Sequence, residues 1–433
     1  MIYSENEILQ YIEEHDVKFV KLTFCGIDGK LKNISVLSSE MGGVFQRGVK
    51  ITAKKIKGFL PKDGKDLYLF PDAATMTLLP WRPQQGRVIR MFCYIRYADG
   101  TPFEGDSRYF LKRAMKEAVK SGYCFRFGTS CEFTLFRNDE NGFPTKTPHD
   151  YAGYCDIAPE DKGENFRRDV CLTLEQMGIH PISSRHESGP GQHEIDFNAS
   201  SALKAADTFL SFKSAVKSVA ENHGVHASFM PKPSSICSGN GMHILMSIIP
   251  DDDFFSDDDE NGKGEFTGNL SGAAGILKYI REFSLFTNST INSYRRLSEF
   301  PTPRYVTWSD TDDDCIMRLV KAATGEAPIT LRASDCACNP YLVFGLMIYA
   351  ALDGIENETA LPEKYDSSNN SFDKLPENIE KAAELAGKSE FLKEALDESV
   401  LTYAIEAAKQ SWKQYSHDSD KDAFEEKNYF FDL

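Results

Sequence analysis

The sequence predicts an α+β fold, in which a small strand-rich unit with one helix precedes a larger unit of strands and long helices. Up to about residue 104, short alternating apolar runs are separated by turn residues. EGDSR at 104–108 then opens a long helical stretch. Beyond it, runs of period two alternate with runs of helical spacing.

Taken in order, residues 4–15 read as a short helix, because Ser4 with Glu7 three residues on has the pattern of a capping box. VKFVKLTFC, the turn GIDGK and LKNISVL read as strand, turn and strand, and 86–97 as a further strand. RYFLKRAMKEAVKSG is the first long helix and FRFGTSCEFTLF a strand. A helix over 161–178 ends at Gly178; HEIDF is a short strand and 202–222 a long amphipathic helix. GMHILMSII is a strand, 270–290 a helix, ITLRAS a strand, and PYLVFGLMIYAALDGI an apolar helix. The acidic stretch 251–266 lacks the spacing and closing Glu of a calcium loop and reads as a solvated loop.

Composition narrows the function classes. A net charge of −16 with no basic stripe argues against nucleic acid and anionic membrane as partners. No run of about 18 apolar residues is present, and MIYSENEILQ lacks the layout of a signal peptide, so a cytoplasmic protein is expected. The ten cysteines contain no CxxC pair; the lone CxC of Cys336 and Cys338 reads as buried reduced thiol rather than as a zinc site.

Strand alternation then isolates a set of polar groups. Glu132 points away from Phe133 and Leu135, and Glu194 and Asp196 away from Ile195 and Phe197. His243 and Ser247 alternate with Met242, Ile244 and Met246, and Thr330 and Arg332 with Ile329 and Leu331. A solvated sheet face would produce the same alternation in any single strand. HESGPGQHE, however, places Glu187 and Glu194 on either side of a Gly-Pro-Gly turn. Converging carboxylates suit a hard divalent cation such as magnesium or manganese.

The strings GIDGKLKNISV, GKDLYLFPD, EGDSR, GYCDIAPEDKGENFRRDVCLTLEQMG, HESGPGQHEIDF, ASFMPKP, SGNGMH, NSYRRL and CNPYLVFG occur in this order along nearly the whole chain. Together they resemble the bacterial type I glutamine synthetases. The resemblance implies a β-grasp domain over 1–104 and a catalytic-type domain over 105–433, with a curved antiparallel sheet and helices. It also implies a homo-oligomer of two stacked six-membered rings with active sites between neighbouring subunits. The family's reaction phosphorylates the glutamate side chain with ATP, and ammonia then displaces phosphate.

The resemblance assigns Glu132, Glu187 and Glu194 to one metal, and His243 to a second metal beside the glutamate. It assigns Arg296 and Arg332 to the glutamate carboxylates, Gly239 to a backbone contact, and Tyr154 to the pocket. Ser247 matches a serine near the nucleotide, and Arg318 an arginine near the phosphates. Glu299 is the one residue placed to substitute for the flap glutamate, from a shifted position.

Other positions depart from the family. Two second-metal glutamates are Ser130 and Thr330, the ammonium segment is TAKK (52–55), and a nucleotide-site glutamate falls at Ile182. The phosphoryl-clamping arginine falls at Asp313, inside DTDDD. Each change removes charge from a site that handles charge. The expectation is a glutamine synthetase-like protein that binds glutamate or a related amino acid with one Mg or Mn ion. Its binding of ATP should be weak or lost, as in a pseudoenzyme acting as sensor or ring partner. The alternative is an active ATP-dependent ligase joining glutamate to ammonia or another amine, and different chemistry on the remaining metal is a third option.

Overall fold

The computed structural model describes residues 3–82, 84–250, 268–298, 302–320, 328–368 and 371–433. The acidic stretch 251–266 and Glu299 lie outside the described residues.

The first unit is a six-stranded sheet of β1 (Val17–Cys25), β2 (Leu31–Leu37), β3 (Val49–Ile51), β4 (Leu67–Pro71), β5 (Thr77–Leu78) and β6 (Arg87–Tyr97). Its order is β2-β1-β6-β4-β3, with β5 beside β6. The β1–β6 pair is parallel and the others antiparallel, as in a β-grasp. The helix Glu5–Glu14 starts at the expected capping box, with both Ser4 and Glu7 bonded across it. It buries Ile8 and Ile12 in the core.

Among the described residues, the second unit holds nine strands: β7 (Tyr123–Asn138), β8 (Pro144–Pro148), β9 (Pro181–His186), β10 (Gln192–Ser201), β11 (Val225–Ser228), β12 (Met242–Pro250), β13 (Tyr305–Ser309), β14 (Cys315–Leu319) and β15 (Ile329–Leu331). They run β13-β14-β15-β12-β7-β10-β9, with β8 and β11 also on β7. Pairing is antiparallel except between β13 and β14, which run parallel. The helices Ser107–Lys120, Ala202–Asn222, Gly268–Thr287 and Pro340–Glu356 supply much of the apolar core. On the sheet's buried face, Cys131, Phe133, Ile195, Met242, Ile244, Met317, Ile329 and Leu331 are all inaccessible.

EGDSR ties the two units together. Asp106 caps the helix Ser107–Lys120 and also accepts from the Ile95 amide of β6. Arg108 forms a two-point pair with Asp207 at 3.1 and 2.9 Å and reaches Asp72 of the small unit at 3.0 Å. The Tyr341 hydroxyl also donates to Asp207, so helices of the second unit hold this carboxylate from two sides.

Candidate active site

Register decides which polar residues meet. In β9, β10 and β7, Arg185, Glu194 and Glu132 stand opposite one another in one row. The next row runs Ser183, Asp196, Ser130 and His243 across β9, β10, β7 and β12. A third contains Gly128, Leu245, Thr330 and Arg318, reaching β14. Side chains opposite one another across a ladder are near neighbours, so these strands build one polar surface from residues distant in sequence.

Glu132 accepts from the Gly241 amide at 2.5 Å and shares a hydrogen bond with Glu194. Burial, followed by the charge of Glu132, pushes the Glu194 carboxyl up to about 10, so this pair carries a proton near neutrality. Glu187 follows β9 and faces the same space. That space already holds a cation. Arg185 donates through Nε to Glu187 at 3.0 Å, through Nη2 to Glu194, and through Nη1 to Asp196 at 2.7 Å. Burial raises the Asp196 carboxyl, but hydrogen bonds from Glu194, Ser183, Ser130 and Arg185 outweigh it and hold the group at about 2.

A magnesium or manganese ion does not fit this donor set as it stands. Glu187 and Glu194 are bonded to a guanidinium, which stays protonated in proteins. Among the described residues, Asp150, His186 and His193 are the group whose ligand atoms lie within 4.8 Å of one another. They occupy the opposite face of β9 and β10 and form a hydrogen-bonded network. His186 bonds Asp150 at 2.8 Å and the Glu187 carbonyl at 2.7 Å, while Arg167 reaches His193 Nδ1 at 2.9 Å and pairs with Asp161.

Of the residues expected to hold an amino acid, Arg296, Gly239 and Arg332 already have partners within the protein. Arg296 is buried; its Nη2 donates to the Ala333 and Ser334 carbonyls at 2.5 and 3.2 Å, and its Nε has no hydrogen-bond partner. Gly239 packs on it so closely that an added Cβ would lie 2.5 Å from Arg296 Cγ. Its carbonyl accepts from Gln192 at 3.0 Å. Burial, then the charges of Arg332 and Arg296, depress His243 to about 3, so its ring is neutral near neutrality.

Arg332 and Arg318 converge on one carboxylate. Arg332 Nη1 lies 2.6 Å from Asp313 Oδ1 and 3.0 Å from its carbonyl, and Arg318 Nη1 reaches the same Oδ1. Tyr154 is 61% exposed on the loop beyond β8, and Ser247 is half-buried on β12. The TAKK segment forms a turn of the small unit at Ala53–Lys55, and Ile182 is exposed on β9. Cys336 and Cys338 are buried free thiols.

Sequence reasoning missed Arg185. Its signal was present, because strand alternation through SSRHE puts Arg185 and Glu187 on one face and His186 on the other. It placed Asp313 where the resemblance puts a phosphoryl-clamping arginine and did not anticipate its pairs with Arg318 and Arg332.

The comparisons agree with the geometry. Residues 16–98 match the model of the glutamine synthetase beta-Grasp domain, and residues 104–427 that of the glutamine synthetase catalytic domain. Proteins called glutamine synthetase from Clostridium saccharobutylicum and Methanosarcina mazei are 38% and 37% identical over 426 and 425 residues, covering 95% of this chain and 96% and 95% of theirs. One from Staphylococcus aureus is 36% identical over 427 residues, covering 95% of each chain. Solved structures titled "GmaS/ADP complex-Conformation 1" and "Apo GmaS without ligand" superpose with TM-scores of 0.83 and 0.84. Each is 24% identical and aligns over 97% of this chain and 98% of the other, a likeness of fold. With both domain models matched in order and full-length relatives above 30% identity, this chain belongs to the glutamine synthetase family.

Proposed function

We propose that this chain is a glutamine synthetase-like protein that recognises glutamate, or a related amino acid, and in which ATP-dependent ligation is weak or lost. The observation that carries this reading is the carboxylate of Asp313 bonded to both Arg318 and Arg332. The family resemblance places a phosphoryl-clamping arginine at this position. A carboxylate there repels a triphosphate and offsets part of the positive charge of the two arginines it bonds, so the phosphate half of the site is less positive than an arginine at this position would make it.

The amino-acid half keeps its parts. Arg332 offers a planar fork suited to a carboxylate, and Glu132 offers a negative partner for an ammonium group. Arg296 and Gly239 form one wall, with neutral His243 beside them. Glutamate binds by displacing Asp313 from Arg332. A glutamate-dependent rise in melting temperature that disappears in a folded Arg332→Ala protein tests this, since ligand stabilisation follows mass action on the native state. No shift in the wild-type protein with millimolar glutamate would defeat it.

The second reading, an active ligase for ammonia or a larger amine, draws on the full-length similarity to proteins called glutamine synthetase. It requires phosphate release that depends on both glutamate and an amine. The homo-oligomeric double ring is proposed from the family alone, with a domain boundary near residue 104. Light scattering that returned the 48.6 kDa monomer would reject the ring.

A further inference from the structure

We infer that Arg185 is a built-in cation that takes the place of a divalent ion on Glu187 and Glu194, so that the native protein holds no resident magnesium or manganese there. The inference stands apart from the amino-acid reading, which needs no metal.

Its basis is geometric. All three guanidinium nitrogens are engaged, and each bonds a different carboxylate: Nε to Glu187, Nη2 to Glu194 and Nη1 to Asp196. Arg185 stands directly opposite Glu194 in the β9–β10 ladder, so the backbone register itself aims the side chain into the cluster. Ser183, two residues earlier on the same face, bonds Asp196 and also accepts from Nη1 at 3.4 Å. The side chains of Glu187, Glu194 and Asp196 are 13%, 3% and 18% exposed, so their oxygens are shielded from water and take their partner from inside the protein.

A divalent ion bound to the same oxygens at about 2.0–2.6 Å would stand next to the guanidinium, within a few ångströms of a fixed positive charge. Ion and arginine are therefore alternatives on these carboxylates. The planar fork satisfies three separated acceptors at once, which a lysine ammonium would do without fixed geometry. The retained glutamates are accounted for as partners of the arginine, with no metal required to keep them.

The test uses manganese alone, followed by the paramagnetic resonance signal of the free aqueous ion and by calorimetry. The full chain is compared with Arg185→Met and Arg185→Lys. Wild-type protein should leave manganese free where Arg185→Met binds one equivalent, with affinity higher by about tenfold or more, the size of effect that groups around a metal site exert. Manganese should raise the melting temperature of Arg185→Met and not of the wild type. Arg185→Lys, which retains a cation, should stay close to wild type and serves if Arg185→Met does not fold. Adding Glu194→Gln to Arg185→Met should abolish the new binding. One tight manganese equivalent in wild-type protein, lost in Glu194→Gln alone, would overturn the inference. Glutamate titrated into the metal-free samples reports separately on the amino-acid pocket, so the two failures are distinguishable.

Discussion

Replacing Asp313 with asparagine should strengthen glutamate binding. In the native site Asp313 Oδ1 accepts from Arg332 at 2.6 Å and also from Arg318, so an incoming carboxylate has to compete with an internal one. The Asp313 side chain is 62% exposed, which puts both pairs in the solvent-screened class. Exposed pairs contribute about 0.2–1 kcal/mol each, so the pair with Arg332, which glutamate has to displace, opposes ligand entry by about 0.2–1 kcal/mol. Removing the charge while keeping the shape should raise affinity by about 1.4- to 5-fold. Calorimetric titration of L-glutamate into wild-type and Asp313→Asn protein reads this directly. The gain should shrink in high salt, because screened pairs weaken with ionic strength. Unchanged or weaker binding by the variant would mean that Asp313 does not compete with the ligand for Arg332, and the account of Asp313 as an internal competitor would fall.

Two further outcomes follow from packing and ionisation. Gly275→Ala should destabilise the fold by about 1–3 kcal/mol or more, because its Cβ would lie 2.1 Å from the Ala350 carbonyl where the helices Gly268–Thr287 and Pro340–Glu356 cross. Gly42→Ala, where nothing lies within 4 Å of the added carbon, should be neutral or stabilising; denaturant midpoints compare the two. The folded state holds His243 near 3, against an ordinary value of 6.5. The unfolded chain therefore binds a proton that the native state rejects, and this contribution to stability is lost as pH falls below 6.5. His243→Asn should gain stability relative to wild type between pH 7 and pH 5; a constant difference across that range would show that His243 does not titrate on unfolding.

Much of the fold was legible in the sequence because the strong signals were local. Ser4 and Glu7 form the capping box, and the alternation of GMHILMSII becomes the buried-then-half-buried pattern of β12. PYLVFGLMIYAALDGI is the helix Pro340–Glu356, opened by the Asn339 cap with proline in its first turn. The parallel β13–β14 pair was not legible, since strand direction depends on how the intervening chain returns. In the site, alternation identified the faces carrying Glu132, Glu194, Asp196 and His243, because that information sits in each strand alone. What each residue bonds depends on register between strands. Arg185 meets Glu194 through the β9–β10 ladder, and Asp313 meets Arg332 across 19 positions of chain. Neither pairing follows from the spacing of residues within one strand. Reading charges individually therefore located the site without revealing that its arginines and carboxylates had already found one another.

The most direct test of the proposed function is a pair of calorimetric titrations, ATP with magnesium and L-glutamate, each into the wild-type protein, with phosphate release measured alongside. The account predicts saturable heat with glutamate, no micromolar binding of ATP, and no phosphate release that requires glutamate and ammonium. Micromolar ATP affinity together with glutamate- and ammonium-dependent phosphate release at ordinary enzyme rates would contradict it and establish an active ligase.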